Sequence, residues 1–347
     1  MQTQIKIMNH DYIHTSLTRI TDFREKPFKV RKLAKKHWET ADYVVCRITD
    51  RGSNELKLEL PSGRMRGVMG GEKVIGVLGE RFATLEATGT WKKADKNGKM
   101  HVLTAAGLLG RLTSKSIFIP NLMEIIYLGH VTRNQEKITM GSFVKPVTKK
   151  EFTIPVILLV GTSMSAGKTT SARIVTNLLK KAGLKVIGAK FTGAGRYKDI
   201  LSMHDVGADV ILDFVDAGLP SSICSKVRYL RIATYLKNAI SHVDADIAII
   251  ELGASPLEPY NGDLAMEALK DNIRCSILCA SDPYSVYGLM KAYDFKPDIV
   301  TGIATNTFAG TQLVEKLCNV TALNLIDPRT TPTLKSILNK KLNISLN

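Results

Sequence analysis

The chain has 347 residues, 44% of them hydrophobic and 23% charged, with a formal net charge of +16. That is a globular balance, long enough for two cores, and no apolar run approaches the ~20 residues that span a bilayer. The start, MQTQIKIMNHDYIH, lacks the basic residues and apolar stretch of a secretory signal, so a cytoplasmic protein without a membrane segment is expected. The cysteines at 46, 224, 275, 279 and 318 are odd in number and scattered, which reads as reduced thiols. Cys275 and Cys279 fit a buried strand, CSILCA, better than a metal site.

The first 40 residues read as a basic, partly helical lead-in. Residues 1–150 hold 27 Lys+Arg against 14 Asp+Glu, densest at Lys26, Lys29, Arg31, Lys32, Lys35 and Lys36. Such a patch can attract polyanions, but no nucleic-acid-binding motif stands beside it, so a solvated face is the preferred reading. From residue 41 to 145 the pattern becomes short β segments: Tyr43–Ile48, Leu56–Leu60 with a Pro61-Ser62-Gly63 turn, Val74–Leu78, Ala83–Ala87, and His101–Ala105 after an Asn97-Gly98 turn. This spacing predicts a β-rich barrel or sandwich of unreadable role. Phe143–Phe152 reads as a linker.

From 153 to 347 the pattern is strand–helix–strand. Ile154–Val160 is a continuous apolar run, as in a strand buried on both faces. Lys168–Ala182 has helical periodicity, with Ile174, Leu178 and Leu179 on one side and Gly183 as the stop. Lys185–Ala189, Asp246–Glu251, Arg274–Ala280 and Asp298–Thr305 are further strands. The fold class expected is therefore α/β, with a parallel sheet following a β-rich region.

Between strand and helix lies VGTSMSAGKTT, Val160–Thr170. This is the setting of a P-loop, in which backbone N–H groups and a helix N-terminus converge on phosphate oxygens. Gly161, Thr162, Ser163, Ser165, Ala166, Gly167, Lys168, Thr169 and Thr170 are the candidate cofactor-binding residues. Gly167 allows close backbone approach, Lys168 brings an ammonium to the terminal phosphates, and Thr169 offers a hydroxyl to Mg²⁺. Gly161 stands one residue earlier than the common G-x-x-x-x-G-K-[ST] spacing, with Thr162 in its usual place.

The spelling GTSMSAGKTT resembles the loop of dethiobiotin synthetases and their relatives. The resemblance implies that Lys190, in GAKFTGAG, faces substrate and phosphates, and that Glu251 ends a Walker B-like strand. It also implies that Asp205 helps hold Mg²⁺ and that Asn306 reads the adenine edge. A second resemblance, over about residues 155–335, is to a P-loop family that includes D-glutamate N-acetyltransferases. It rests on Asp213-Phe214 through Gly218, Glu251–Ser255, Gly302–Thr307 and Asp327-Pro328-Arg329. Homodimers are expected from resemblance alone.

Other residues keep two readings. His204 is either a general base or structural. Of Asp205, Asp209, Asp213 and Asp216, one or two reach the site, and the others belong to solvated helix faces. Gly193 and Gly195 mark a flexible or close-approach loop. Asn306 either reads a base or caps a turn, and Arg329 either binds an anion or pairs with Asp327. The leading expectation is an enzyme using ATP and Mg²⁺ to activate a small anionic substrate. Lys168, Lys190, Glu251 and His204 are its catalytic candidates, and Thr169, Asp205 and Glu251 its metal ligands. The alternatives are an acetyl-CoA-dependent N-acyltransferase and a non-enzymatic nucleotide-binding switch. Ser163, where some dimeric P-loop ATPases carry a second lysine, weakens the switch.

Overall fold

The computed structural model describes residues 11–49 and 57–346. Leu56, expected to open a strand, and the first ten residues of the lead-in lie outside that range. In the amino-terminal part the strands are β1 (Tyr12–His14), β2 (Lys29–Arg31), β3 (Tyr43–Ile48), β4 (Lys57–Glu59), β5 (Met65–Gly67) and β6 (Lys73–Leu78). They are followed by β7 (Glu80–Phe82), β8 (Ala87–Thr90), β9 (Lys99–Thr104), β10 (Leu108–Lys115), β11 (Glu124–Arg133) and β12 (Glu136–Lys137). The pairings β6–β3–β11–β9–β10 close on themselves through a parallel β10–β6 contact, so the expected β-rich part is a barrel. Closure removes the open edges that a free sheet would expose.

Two expectations change here. The described part of the lead-in holds β1 and β2 and two short 3-10 turns rather than an α-helix. Val30 pairs with Val131 and Tyr12 with Lys73, so tertiary pairing decides the conformation of segments too short to choose for themselves. Of the expected strand Ala83–Ala87, residues 83–86 are the turn between β7 and β8 and only Ala87 is in a strand, the first residue of β8; the alternation is too short to separate the two. The basic residues Lys26, Lys29, Arg31, Lys32, Lys35 and Lys36 are exposed, from just before β2 to the 3-10 turn after it.

Residues 144–155 form no regular element and lead to a seven-stranded parallel sheet. Its strands are β13 (Val156–Gly161), β14 (Val186–Thr192), β15 (Val210–Asp213), β16 (Ile247–Leu252), β17 (Ile273–Cys279), β18 (Ile299–Thr301) and β19 (Thr321–Ala322). Their spatial order is β15-β14-β16-β13-β17-β18-β19. The helices are α1 (Lys168–Lys181), α2 (Tyr197–His204), α3 (Lys226–Ser241), α4 (Gly262–Leu269), α5 (Pro283–Tyr293), α6 (Phe308–Cys318) and α7 (Thr331–Leu342). Among the described residues no helix is long and apolar enough to cross a membrane.

Every residue of β13 is buried, and each of its Val, Ile and Leu side chains contributes ~1.5–3 kcal/mol by leaving water. The α1 stripe that reaches the core is Ala172, Val175 and Leu179, with Ile174 and Leu178 half-buried at its margin. Cys275 and Cys279 lie buried in β17. β15 was not legible, because its residues fall in the aspartate cluster that resembles a solvated helix. Asp213 at its end is fully buried and paired with Arg19.

The barrel and the parallel sheet share one apolar core, in which Leu17, Tyr43 and Leu108 join Phe191, Phe214 and Leu219. Polar ties cross the same boundary. Arg19 donates to Asp213 at 2.7 Å and to Asp216 at 2.9 Å. Glu59, fully buried at the end of β4, accepts the Tyr197 and Lys198 backbone N–H groups, each at 2.9 Å, and the Ser16 hydroxyl. Arg196, the residue ahead of α2, supplies no side-chain cap, so free N–H groups of α2 are satisfied from β4, which pairs with β5 in a two-stranded sheet beside the barrel.

Candidate active site

The loop between β13 and α1 sits at the carboxyl end of the central strands, where parallel α/β sheets gather ligand groups. Gly167 precedes α1 with φ +103°, a conformation that costs glycine little. Lys168 is buried, and its Nζ donates to the Ser163 carbonyl at 2.6 Å. Its side chain crosses Gly161 so closely that a Cβ there would lie 2.7 Å from Lys168 Cδ. The displaced glycine therefore clears the path of the lysine. Thr162 closes the loop from behind, its Oγ1 accepting the Ser281 N–H at 3.1 Å. Gly302 packs on the Ala166 carbonyl and braces the other flank.

The buried strand, the turn at Gly167 and the lysine opening α1 form one continuous unit. The carboxyl-terminal part has a P-loop fold.

Lys168, Thr169, Lys190 and Glu251 meet in one cavity of about 610 Å³ between this sheet and the barrel. Adjacent strands align Lys190 with Glu251, and Thr169 Oγ1 donates to Glu251 Oε2 at 3.3 Å. Burial, reinforced by Asp199, holds the Glu251 carboxyl above the usual range, against the pull of Lys190 and Lys168. Burial lowers the Lys168 pKa although Glu251 opposes it. For Lys190 burial also lowers, but Asp199 and Glu251 outweigh it and the net direction is up. The second strand's lysine thus holds its proton more firmly than the P-loop lysine does.

Three expected residues fall elsewhere. His204 and Asp205 end α2, exposed and outside the cavity. The α2 residue that faces Lys190 is Asp199, which accepts from Lys190 Nζ at 2.6 Å. At a rise of 1.5 Å per residue, six residues carry Asp205 about 9 Å along the helix from that position. Asn306 follows the 3-10 turn Ile303–Thr305, exposed and lining no part of the cavity. Arg329 pairs with Asp327, its Nη2 donating at 2.7 Å. Gly193 has φ +115° and packs on Gly253, which makes its loop one of close approach.

Sequence reasoning missed Asp199 and the whole barrel wall. The signal for Asp199 was its place in the first turn of a helix that follows the Lys190 strand. No local signal marks the wall, which is built from Val102–Ala105, Ile119–Met123, Arg81 and Glu86. Glu86 also touches the phosphate-side loop, accepting the Ser165 hydroxyl at 2.9 Å, and it pairs with Arg81.

A hydroxyl and two carboxylates make a hard oxygen donor set of the kind Mg²⁺ takes. The lysine folded over Gly161 is a cradle of the kind that holds phosphates. The residues present fit both groups.

No family profile and no curated protein matches this sequence. Solved structures align with part of it. Chloroplast FtsY from Physcomitrella patens aligns at 15% identity over 51% of this chain and 59% of its own, with a TM-score of 0.36. FtsY from Mycoplasma mycoides aligns at 19% identity over 51% and 60%, with a TM-score of 0.36. A DUF1611 family protein from Anabaena variabilis aligns at 11% identity over 56% and 61%, also with a TM-score of 0.36. The chain thus spans about three fifths of the length of each. At these scores the likenesses are partial, and the P-loop assignment stands on the loop geometry above. The likeness to dethiobiotin synthetases rests on sequence motifs alone.

Proposed function

We propose that the protein is an ATP- and Mg²⁺-dependent enzyme that activates a small carboxylate-type substrate by phosphoryl transfer or ligation. The observation that carries this reading is the convergence of Lys168, Thr169, Lys190, Asp199 and Glu251 on one cavity. Lys168 and Lys190 would neutralise charge on the transferring phosphoryl group. Thr169, Glu251 and Asp199 would hold Mg²⁺, which, when bound, screens phosphate charge. Asp199 takes the place that the sequence motif suggested for Asp205. The division at about residues 145–153 into a barrel domain and a P-loop domain belongs to the same proposal. The barrel supplies the opposite wall of the cavity.

The test is a thermal-unfolding comparison of the protein with ATP–Mg²⁺, ATP–EDTA, acetyl-CoA and no ligand. A ligand at 100 times its Kd stabilises the native state by ~2.7 kcal/mol, enough to raise the midpoint visibly. A rise with ATP that requires Mg²⁺ is expected. A rise with acetyl-CoA alone would replace this reading with acyl transfer.

A further inference from the structure

The cavity is lined by six cationic side chains and three carboxylates. Asp199 is taken by Lys190 and Glu86 by Arg81, while Glu251 lies buried between Thr169 and the two lysines. Lys57, Arg196 and Lys198 therefore line the cavity with no hydrogen bond or ion pair to their side chains among the described residues. The Arg196 side chain is only half-buried, and although its Nε is covered without a partner, the rest of the guanidinium is left to the cavity with no acceptor among the described residues. The neighbouring carboxylate of Glu59 is already saturated by two backbone N–H groups and Ser16.

The backbone that presents Arg196 is fixed on both sides. Gly195 N–H donates to the Pro220 carbonyl at 2.9 Å, and the Gly195 carbonyl accepts the Thr104 hydroxyl at 3.3 Å. Beyond Arg196, Glu59 holds the start of α2. The cavity wall also carries Val102, Leu103, Leu122, Met123 and Met164, an apolar surface suited to a carbon skeleton.

We infer that Arg196, with Lys57 and Lys198, forms a second anion subsite that takes a carboxylate or phosphate on the substrate other than the group being activated. The substrate is then a molecule with anionic groups at both ends of an apolar chain. The amino-terminal part takes part in choosing it, because Lys57 lies on β4, which pairs with β5 in a two-stranded sheet beside the barrel. This inference rests on the proposed function for the identity of the first anionic group. Guanidinium recognises both oxyanions through paired N–H donors, so the chemistry of the second group is left to the experiment.

Pentanoate, glutarate and 4-phosphonobutyrate would be titrated calorimetrically into the full-length protein, with and without AMP-PNP–Mg²⁺. In the wild type both two-headed acids should bind at least ~10-fold tighter than pentanoate, a difference worth about 1.4 kcal/mol. A preference for glutarate assigns the subsite to a carboxylate, and a preference for the phosphonate assigns it to a phosphate. Arg196→Gln should reduce both to the pentanoate level and leave AMP-PNP affinity unchanged, while Arg196→Lys should keep part of the preference. Equal affinities in the wild type, no binding of any acid, or an intact preference in Arg196→Gln would overturn the subsite. Failure of AMP-PNP–Mg²⁺ to bind the wild type would count against the nucleotide reading instead, with the acid preference still read in its absence.

Discussion

Lys190 and Asp199 form a buried ion pair at 2.6 Å, from the end of β14 to the first turn of α2. Burial on its own lowers the Lys190 pKa, and Asp199 and Glu251 raise it above the ordinary value. The stability that this ammonium contributes is therefore fully present below the unfolded lysine value of about 10.4, and is lost only as pH rises through the higher folded value. Asp199→Asn removes the partner and should cost about 3 kcal/mol at neutral pH. In the variant burial dominates, the Lys190 pKa drops below its unfolded value, and stability should recover as pH rises toward about 10. Urea unfolding at neutral and alkaline pH checks both the loss and the reversed slope. A wild-type slope in the variant would show that Asp199 does not hold that proton.

Lys168 and Glu251 should separate binding from turnover. Lys168→Ala removes the ammonium that the P-loop offers, and nucleotide affinity should drop by at least ~10-fold while the circular dichroism spectrum stays native. Glu251→Gln keeps shape and should leave nucleotide binding largely in place, with turnover reduced by ~100-fold or more. Unchanged affinity in the first variant, or wild-type turnover in the second, would remove that residue from the site.

Glu59 joins the amino-terminal part to the site through α2. Glu59→Ala leaves two helix N–H groups and the Ser16 hydroxyl without their acceptor, and should cost about 3 kcal/mol, the scale of hydrogen bonds to a charged group. The denaturant midpoint should drop at unchanged m-value. The lysine partner Asp199 sits on the loosened turn, so substrate affinity should weaken in the same variant under conditions where it remains folded.

Asp282 caps α5, accepting the Tyr284 N–H at 2.9 Å and the Ser285 N–H at 2.8 Å. Burial alone would raise its pKa, but these bonds and the serine hydroxyls outweigh burial and hold it below the ordinary aspartate value. Its contribution is present above the ordinary aspartate range and is lost as pH falls through the lower folded value. Asp282→Ala should cost about 1 kcal/mol near neutrality, and less once pH falls through the lowered folded value. Thermal midpoints across that range test it, and a constant difference would mean the charge has no part in the cap.

The sequence by itself determined the strand–loop–helix unit around Lys168, through an apolar run and a glycine before a lysine. Glu251 was marked by its place where a buried strand ends, and Lys190 by the resemblance to dethiobiotin synthetases. The sequence also determined the β-rich character of the amino-terminal part, since alternation and turn residues act within a few positions. Only the tertiary structure decided which carboxylate meets Lys190, because Asp199 and Asp205 differ by about 9 Å along one helix and not in local sequence. Likewise, Glu59 and Arg19 find their partners more than a hundred residues away. No periodicity encodes that distance, and the barrel's place as a wall of the site follows from those contacts.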